Sequence, residues 1–375
     1  MIQFQSRPGV LDLGWGHPRP GLLPVEEWAR ASAAAAREFG WRQLTYGDET
    51  GPAPLLEWLT SHLCDAEGGG TTAEQLFVTG GASHGMALVA TLVAGPGDVI
   101  LVDSPSYHLA FRVFADTGAT VRRAPADASG VDPDALARLL ATLRAEGCRV
   151  PLLYLVPTFA NPTGRSLPPD RRTALVALAR RTGLTLLEDD TYRELCYEGT
   201  GPPSLWRLSG GEGVVRLGTF AKTVAPGLRL GWINAGPVLI GRLAALGYVK
   251  SGGGVNHSVA STMYCFGASG AYARHVATVR EEYRRQRDAL VSAVRPHLPV
   301  ESPAGGWFLW APLPAGVRAT ELLPRAERGG TSFVPGPLFY ADGAGGDDHI
   351  RLSFSYLPPA DLIRAADRLG AALTG

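Results

Sequence analysis

Short apolar runs, spaced by segments long enough for helices, constrain this chain most. Residues 76–79, 98–102, 152–156, 184–187, 214–217 and 228–234 are β-rich, and several are apolar at successive positions rather than at alternate ones. A strand with one wet face alternates, whereas one apolar on both faces must be covered on both. Between these runs, residues 24–39, 52–64, 83–92, 133–145 and 168–181 read as helices. Buried strands alternating with helices are the pattern of an α/β fold with a mostly parallel sheet covered by helices. No internal repeat is visible.

At 375 residues the chain outgrows one small core, which predicts a large domain plus a smaller α+β domain. Residues 269–298 form a long Arg- and Glu-rich helical stretch whose charges read as a solvated face. Beyond it, 305–310 and 349–354 read as strands, and the Gly/Asp-rich 342–348 between them as a surface loop. The 35 basic and 35 acidic residues cancel, so no global field recruits nucleic acid or anionic lipid. The N-terminus lacks the apolar core of a signal peptide, and no apolar stretch approaches the roughly 20 residues of a membrane span. Four dispersed cysteines without a CxxC pair read as small buried hydrophobes in a reducing compartment, with no metal implied. The expected location is the cytoplasm.

Of the 35 basic residues only two are lysines, Lys222 and Lys250. An arginine preference accounts for scarcity, but lysine alone of the two can serve as an ordinary Schiff-base amine. Lys222 lies in a compact apolar segment, Thr219-Phe220-Ala221-Lys222, with Arg229 seven residues on. Other polar residues gather at strand ends, where open parallel sheets bind ligands. Asn161-Pro162-Thr163-Gly164 follows one strand, and Glu188-Asp189-Asp190-Thr191-Tyr192 follows the next. Three consecutive acids at the end of a buried strand are costly unless cations or hydrogen bonds compensate them. Thr79-Gly80-Gly81-Ala82-Ser83-His84 is a glycine-rich turn opening a helix, where the N–H groups of Ala82 and Ser83 can face an anion.

That joint order resembles the fold-type I pyridoxal-phosphate enzymes, specifically the class I/II aminotransferases, over nearly the whole chain. The resemblance implies a large cofactor-binding domain at 26–268 and a small C-terminal domain at 269–375. Segment 1–25 would contribute to the small domain and the active-site entrance. It implies Lys222 as the Schiff-base lysine and proton carrier, and Asp189, three residues before Tyr192, as the partner of the pyridine nitrogen. Tyr192 and Asn161 would donate to the cofactor's phenolic oxygen, and Tyr107 would stack on its ring. Ala82, Ser83, His84, Thr219 and Arg229 would hold the phosphate, joined by Tyr46 of a neighbouring subunit, hence a homodimer with shared active sites. Arg351 would grip the substrate α-carboxylate, with the Gly16 backbone assisting, and Trp15 would lie beside the substrate side chain.

Departures from the family pattern are His84 in the phosphate turn, Trp15 at the entrance and the Ser251-to-His257 loop with three glycines. His257 reads as a loop residue or as a pocket acid/base, with His17 and His108 similarly open. The implied activity is amino-group exchange between an L-amino acid and a 2-oxo acid. The alternative is a specialised enzyme of secondary metabolism acting at the β- or γ-carbon on the same scaffold. A regulator with an aminotransferase-like effector domain would need an N-terminal DNA-binding domain. Trp15-Gly16-His17 is expected to belong already to the catalytic fold, leaving no room for one.

Overall fold

The computed structural model describes residues 7–252 and 254–374. Residues 1–6, Gly253 and Gly375 lie outside the described residues, and with them part of the expected N-terminal segment and of the triple glycine. The central sheet has seven strands in the order Leu76–Thr79, Gly231–Asn234, Val214–Thr219, Thr185–Asp189, Leu152–Leu155, Val99–Val102, Thr120–Arg123. Gly231–Asn234 runs antiparallel to both its neighbours, and every other pair is parallel.

Apolar runs fill both sides of this sheet as their lack of alternation predicts. Leu153, Leu155, Leu186 and Val214 pack on one face with Leu136, Leu175 and Leu178 of the helices Pro133–Ala145 and Pro169–Thr182. Leu152, Tyr154, Leu187 and Leu217 point to the other face, against Met86, Val89 and Phe114 of Ala82–Val93 and His108–Ala115. Truncating any one of these buried leucines to alanine costs about 2–5 kcal/mol. The strand Thr120–Arg123 was not foreseen because it is a largely exposed sheet edge, and its polar TVRR sequence suits that place. The strand expected at 228–234 starts only at Gly231, because Pro226–Leu228 is a 3-10 turn and Arg229 has φ +47°.

A second, antiparallel sheet pairs Phe308–Pro312 with His349–Ser353, which pairs in turn with Val334–Pro335. Leu11–Asp12 joins Thr331–Ser332 in parallel, tying the N-terminal segment to the C-terminal part of the chain. The long helices Ala271–Val294 and Pro359–Thr374 pack together, sharing a core through Leu290, Val294, Leu362 and Leu369. Among the four unpaired cysteines only Cys265 is buried, and Cys64, Cys148 and Cys196 are half-buried, which corrects their reading as core residues. No described helix is long and apolar enough to cross a membrane.

Candidate active site

The three consecutive acids have three different fates. The two-residue period of a strand turns Asp189 toward the face that carries Leu187, and Glu188 to the other. Glu188 accepts the backbone N–H of Leu205 at 2.8 Å and of Trp206 at 2.9 Å, capping a short helix, with Arg172 at 4.0 Å. Burial pushes its carboxyl up to about 7, Asp190 adding to the shift and arginines opposing it. Asp190 accepts from Arg216 Nε at 2.9 Å and from Arg193, while Glu67 lies 3.0 Å from Arg216 and 3.2 Å from Arg193. Burial works against its charge, yet Arg193 and Arg216 outweigh it and hold Asp190 at about 2. Asp189 makes no ion pair among the described residues: Tyr154 Oη donates to it at 2.8 Å, as does the Thr191 hydroxyl. Burial raises its pKa, so its charge lacks a cation. Asp189 is the acid turned toward the lysine.

Lys222 follows the neighbouring strand Val214–Thr219, with Nζ 4.7 Å from the centre of the Trp307 ring. Burial pulls its pKa down to about 8, helped by Arg351 and Arg229 and opposed by Asp189. Lys222 makes no ion pair among the described residues. Lys250 is exposed and pairs with Glu49 at 2.5 Å. The two lysines thus occupy different settings, one enclosed with its hold on the proton weakened and one exposed in an ion pair with Glu49.

An anion cradle lies beside them. Gly81 ends the strand–helix turn with φ +94°, which favours glycine, and a Cβ there would stand 2.9 Å from Arg229 Nη2 and push that guanidinium away from the helix start. Helix Ala82–Val93 has no side-chain cap, which leaves the first-turn N–H groups of Ala82 and Ser83 facing outward. Arg229 Nη2 donates to Gly80 O at 3.0 Å, fixing the guanidinium over this turn. His84 accepts the Gly80 N–H on Nδ1 at 3.0 Å, and burial and Arg229 lower its pKa. The Thr219 hydroxyl accepts from Ala221 N–H and donates to Leu230 O at 3.3 Å.

Arg351 comes from the second sheet and is buried. Its Nη1 donates to Asn161 Oδ1 at 2.9 Å and its Nη2 to Gly14 O at 2.6 Å, with the guanidinium 4.2 Å from the Phe308 ring centre. Nε is buried without a hydrogen-bond partner among the described residues, and burial pulls the group down to about 10. Asn161 spends its oxygen on Arg351, so its amide N–H pair is left for a ligand. Gly16 packs against Phe308, where a Cβ would come within 3.0 Å of the ring, and the Trp15 ring meets His17 edge-on at 5.2 Å. Tyr107 caps the helix His108–Ala115, its pKa raised to about 12 by burial and Asp189. Tyr192 is buried against Trp307 and Phe308, and burial raises its pKa strongly. Tyr46, by contrast, is 82% exposed and rests on Gly252 of the glycine loop. His257 opens a helix against Gly47, and His108 is half-buried beside Phe339.

Trp307, Tyr154 and Phe308 escaped the sequence reading. Tyr154 had a legible signal, as a lone hydroxyl in an otherwise aliphatic strand adjacent to Leu187. A cavity of about 700 Å3 at the opposite, amino-terminal end of the strands, lined by Leu140, Cys148, Val150 and Arg242 among others, contains none of the site residues.

The geometry fits pyridoxal phosphate on its own terms. It offers a carboxylate without a cation, an amine of lowered pKa, and a glycine cradle under an arginine. The family model for aminotransferase class I and II matches residues 8–369. The chain is 34% identical to the 2-aminoadipate transaminase of Thermus thermophilus, over 100% of this chain and 93% of that one. The solved structure of an α-aminoadipate aminotransferase from the same species, complexed with N-(5'-phosphopyridoxyl)-L-leucine, superimposes with a TM-score of 0.87 at 32% identity, covering 100% and 96% of the two chains. The Pyrococcus horikoshii kynurenine aminotransferase matches with a TM-score of 0.91 at 28% identity, covering 98% and 91%.

Proposed function

Because the chain belongs to the class I and II aminotransferases, enzymes of fold type I that use pyridoxal phosphate, we propose that Lys222 is its covalent lysine. The observation that carries this is the pairing of Lys222, an amine at about 8 without a counter-ion, with Asp189, a buried carboxylate without a cation. When bound, pyridoxal phosphate supplies an electrophilic carbonyl and a conjugated ring that delocalises the electron pair left when the α-proton departs.

The residues then have separable tasks. Asp189, fixed by Tyr154 and Thr191, holds a proton on the pyridine nitrogen. Arg229 and the N–H groups of Ala82 and Ser83 hold the phosphate, with Thr219 and His84 lining the turn. Tyr192 and the amide of Asn161 donate to the phenolic oxygen, and Tyr107 covers the ring. Arg351 binds the substrate α-carboxylate through its free Nε and by exchanging a neutral carbonyl partner for an anionic one, with the Gly16 backbone beside it. Lys222, once its amine is free, carries the proton between the α-carbon and the cofactor carbon. Its value near 8 suits that exchange at neutral pH.

Residues 26–268 are read as the cofactor-binding unit and 269–375 with segment 1–25 as the smaller one, supported by the pairing of Leu11–Asp12 with Thr331–Ser332. The exposure of Tyr46, next to exposed Trp41 and Leu44, supports a homodimer in which Tyr46 reaches the partner's phosphate. The cytoplasm is the proposed location. The relatives named for 2-aminoadipate and kynurenine, and the aromatic entrance at Trp15, point to an L-amino acid with an extended side chain.

The test is to mix holoenzyme with single amino acids. Stoichiometric conversion of the cofactor to its pyridoxamine form, with release of the matching 2-oxo acid and reversal by a second 2-oxo acid, is expected. Products lacking the side-chain substituent would overturn the reading. Reduction of the holoenzyme with borohydride should attach the cofactor to the Lys222 peptide, and attachment at Lys250 would refute the assignment.

A further inference from the structure

Trp307 is fully buried, yet its indole Nε1 has no hydrogen-bond partner among the described residues. An orphaned buried donor is costly, and an apolar residue would fill the place without that cost. Packing, not hydrogen bonding, sets the ring: Tyr192 meets it edge-on at 5.9 Å and Tyr283 at 5.5 Å. Among the described residues the cation lying over its ring is the Lys222 amine, 4.7 Å from the ring centre. What tryptophan adds here beyond bulk is therefore a π face directed at the reactive nitrogen, and indole is the best of the aromatic side chains for holding a cation.

We infer that Trp307 is a positioning residue for Lys222, its ring face serving as the resting place of the freed amine as a cation, out of water. The inference rests on Lys222 being the covalent lysine. It solves a specific difficulty of that role. A cation set free in a dry site needs a partner, and Asp189, the nearby carboxylate, is committed to Tyr154 and Thr191. Pairing Lys222 with a carboxylate would hold the proton too tightly for exchange, whereas a ring face stabilises the cation more modestly. Burial, Arg351 and Arg229 already favour the neutral amine, and the ring offsets part of that. The contact also links the two sheets, since Lys222 follows a strand of the large sheet and Trp307 directly precedes a strand of the small one.

The lysine content makes the test clean. With Lys222 and Lys250 as the only lysines, trace acylation with acetic anhydride, read peptide by peptide, titrates each amine separately. The full-length protein freed of cofactor is labelled across a pH series as the parent, Trp307→Phe and Trp307→Leu. Loss of a desolvated cation–π contact should move the Lys222 midpoint down by about one pH unit in Trp307→Leu. Trp307→Phe should move it less, in the same direction. The Lys250 curve, an exposed amine remote from the substitution, should stay put in all three proteins. A Lys222 curve that is unchanged or shifted upward in Trp307→Leu overturns the inference. If that variant does not fold, a Trp307→Phe curve superimposable on the parent's overturns it instead. Borohydride trapping of the parent holoenzyme separates the two possible failures. Cofactor on Lys250 sinks the assignment of the covalent lysine, whereas cofactor on Lys222 with an unmoved titration sinks only the role of Trp307.

Discussion

Asp189 and Asp190 are adjacent carboxylates, both buried, and neutralising each should have opposite consequences. Asp190→Asn leaves Arg193 and Arg216 facing each other with Glu67 as their ion-pair partner among the described residues and Glu188 acting from further off, the first three at side-chain exposures of 13%, 3% and 7%. Removing one partner of a buried ion network costs about 3–5 kcal/mol. A second route gives a similar size, since displacement of Asp190 from 3.8 to about 2 corresponds to about 2–3 kcal/mol at neutral pH. The sign follows from the depressed value: this stability is present above pH 3.8 and is lost as pH falls through about 2. Asp189 has its pKa raised by burial, so above the unfolded value its charge opposes folding of the cofactor-free chain. Asp189→Asn would escape that cost while forfeiting part of the hydrogen bonding the carboxylate accepts from Tyr154 and Thr191, leaving stability within about 1 kcal/mol of the parent. Urea denaturation of the cofactor-free proteins at neutral pH reads both numbers, and aminotransferase assays of the folded proteins read function. Asp190→Asn should be markedly less stable with turnover retained, and Asp189→Asn stable but deficient in amino transfer. Equal destabilisation of the two, or an Asp190→Asn protein as stable as the parent, would refute this division of labour.

Arg351→Ala should lose about 2–4 kcal/mol of carboxylate recognition, about a 30- to 1000-fold fall in kcat/KM. Arg351→Lys should not restore it, because one ammonium cannot serve Asn161, Gly14 and a carboxylate in the same plane; steady-state kinetics on both variants checks this. Lys250→Ala removes an exposed ion pair and should change stability by less than about 1 kcal/mol, with borohydride trapping still at Lys222. His62 lies 3.2 Å from Glu194, and although burial lowers its pKa, Glu194 outweighs burial and raises it above 6.5. Its contribution is therefore complete below pH 6.5 and fades as pH rises through the folded value; urea midpoints of His62→Gln should lack that alkaline decline.

What the sequence disclosed and what it hid divide along chain distance. The runs at 152–156 and 184–187 announced a sheet covered on both faces because periodicity is local. The turn at 79–84 announced the uncapped helix start at Ala82 for the same reason. Trp307 was read only as part of a strand because its partner Lys222 lies 85 positions away, and nothing in either local pattern joins them. Arg216 is the intermediate case. A cation inside an otherwise aliphatic strand was visible, and so were three acids that required compensation; only the fold shows that Asp190 claims Arg216 while Glu188 claims a helix end.

That distribution of partners bears on the charge of the groups the proposed site would attract. With Glu188 and Asp190 neutralised elsewhere and Asp12, which also acts on Arg351, paired with Arg7, Asp189 is, among the described residues, the acid without a cation of its own that acts on Lys222, so the cleft carries more positive charge than negative in a chain whose formal charges cancel. Such an excess is costly in a buried place unless anions enter it. In the proposed arrangement a phosphate ester over Gly81 and Arg229 and a carboxylate on Arg351 would relieve it at two separate points. The cation between them, Lys222, is the one whose charge can be given up, because burial and the two arginines already weaken its hold on the proton. Arrival of an anion at Arg351 removes part of that repulsion, so carboxylate binding should raise the proton affinity of Lys222 just as substrate enters. In the proposed site, substrate capture and the proton transfer that follows would thereby be coupled through charge.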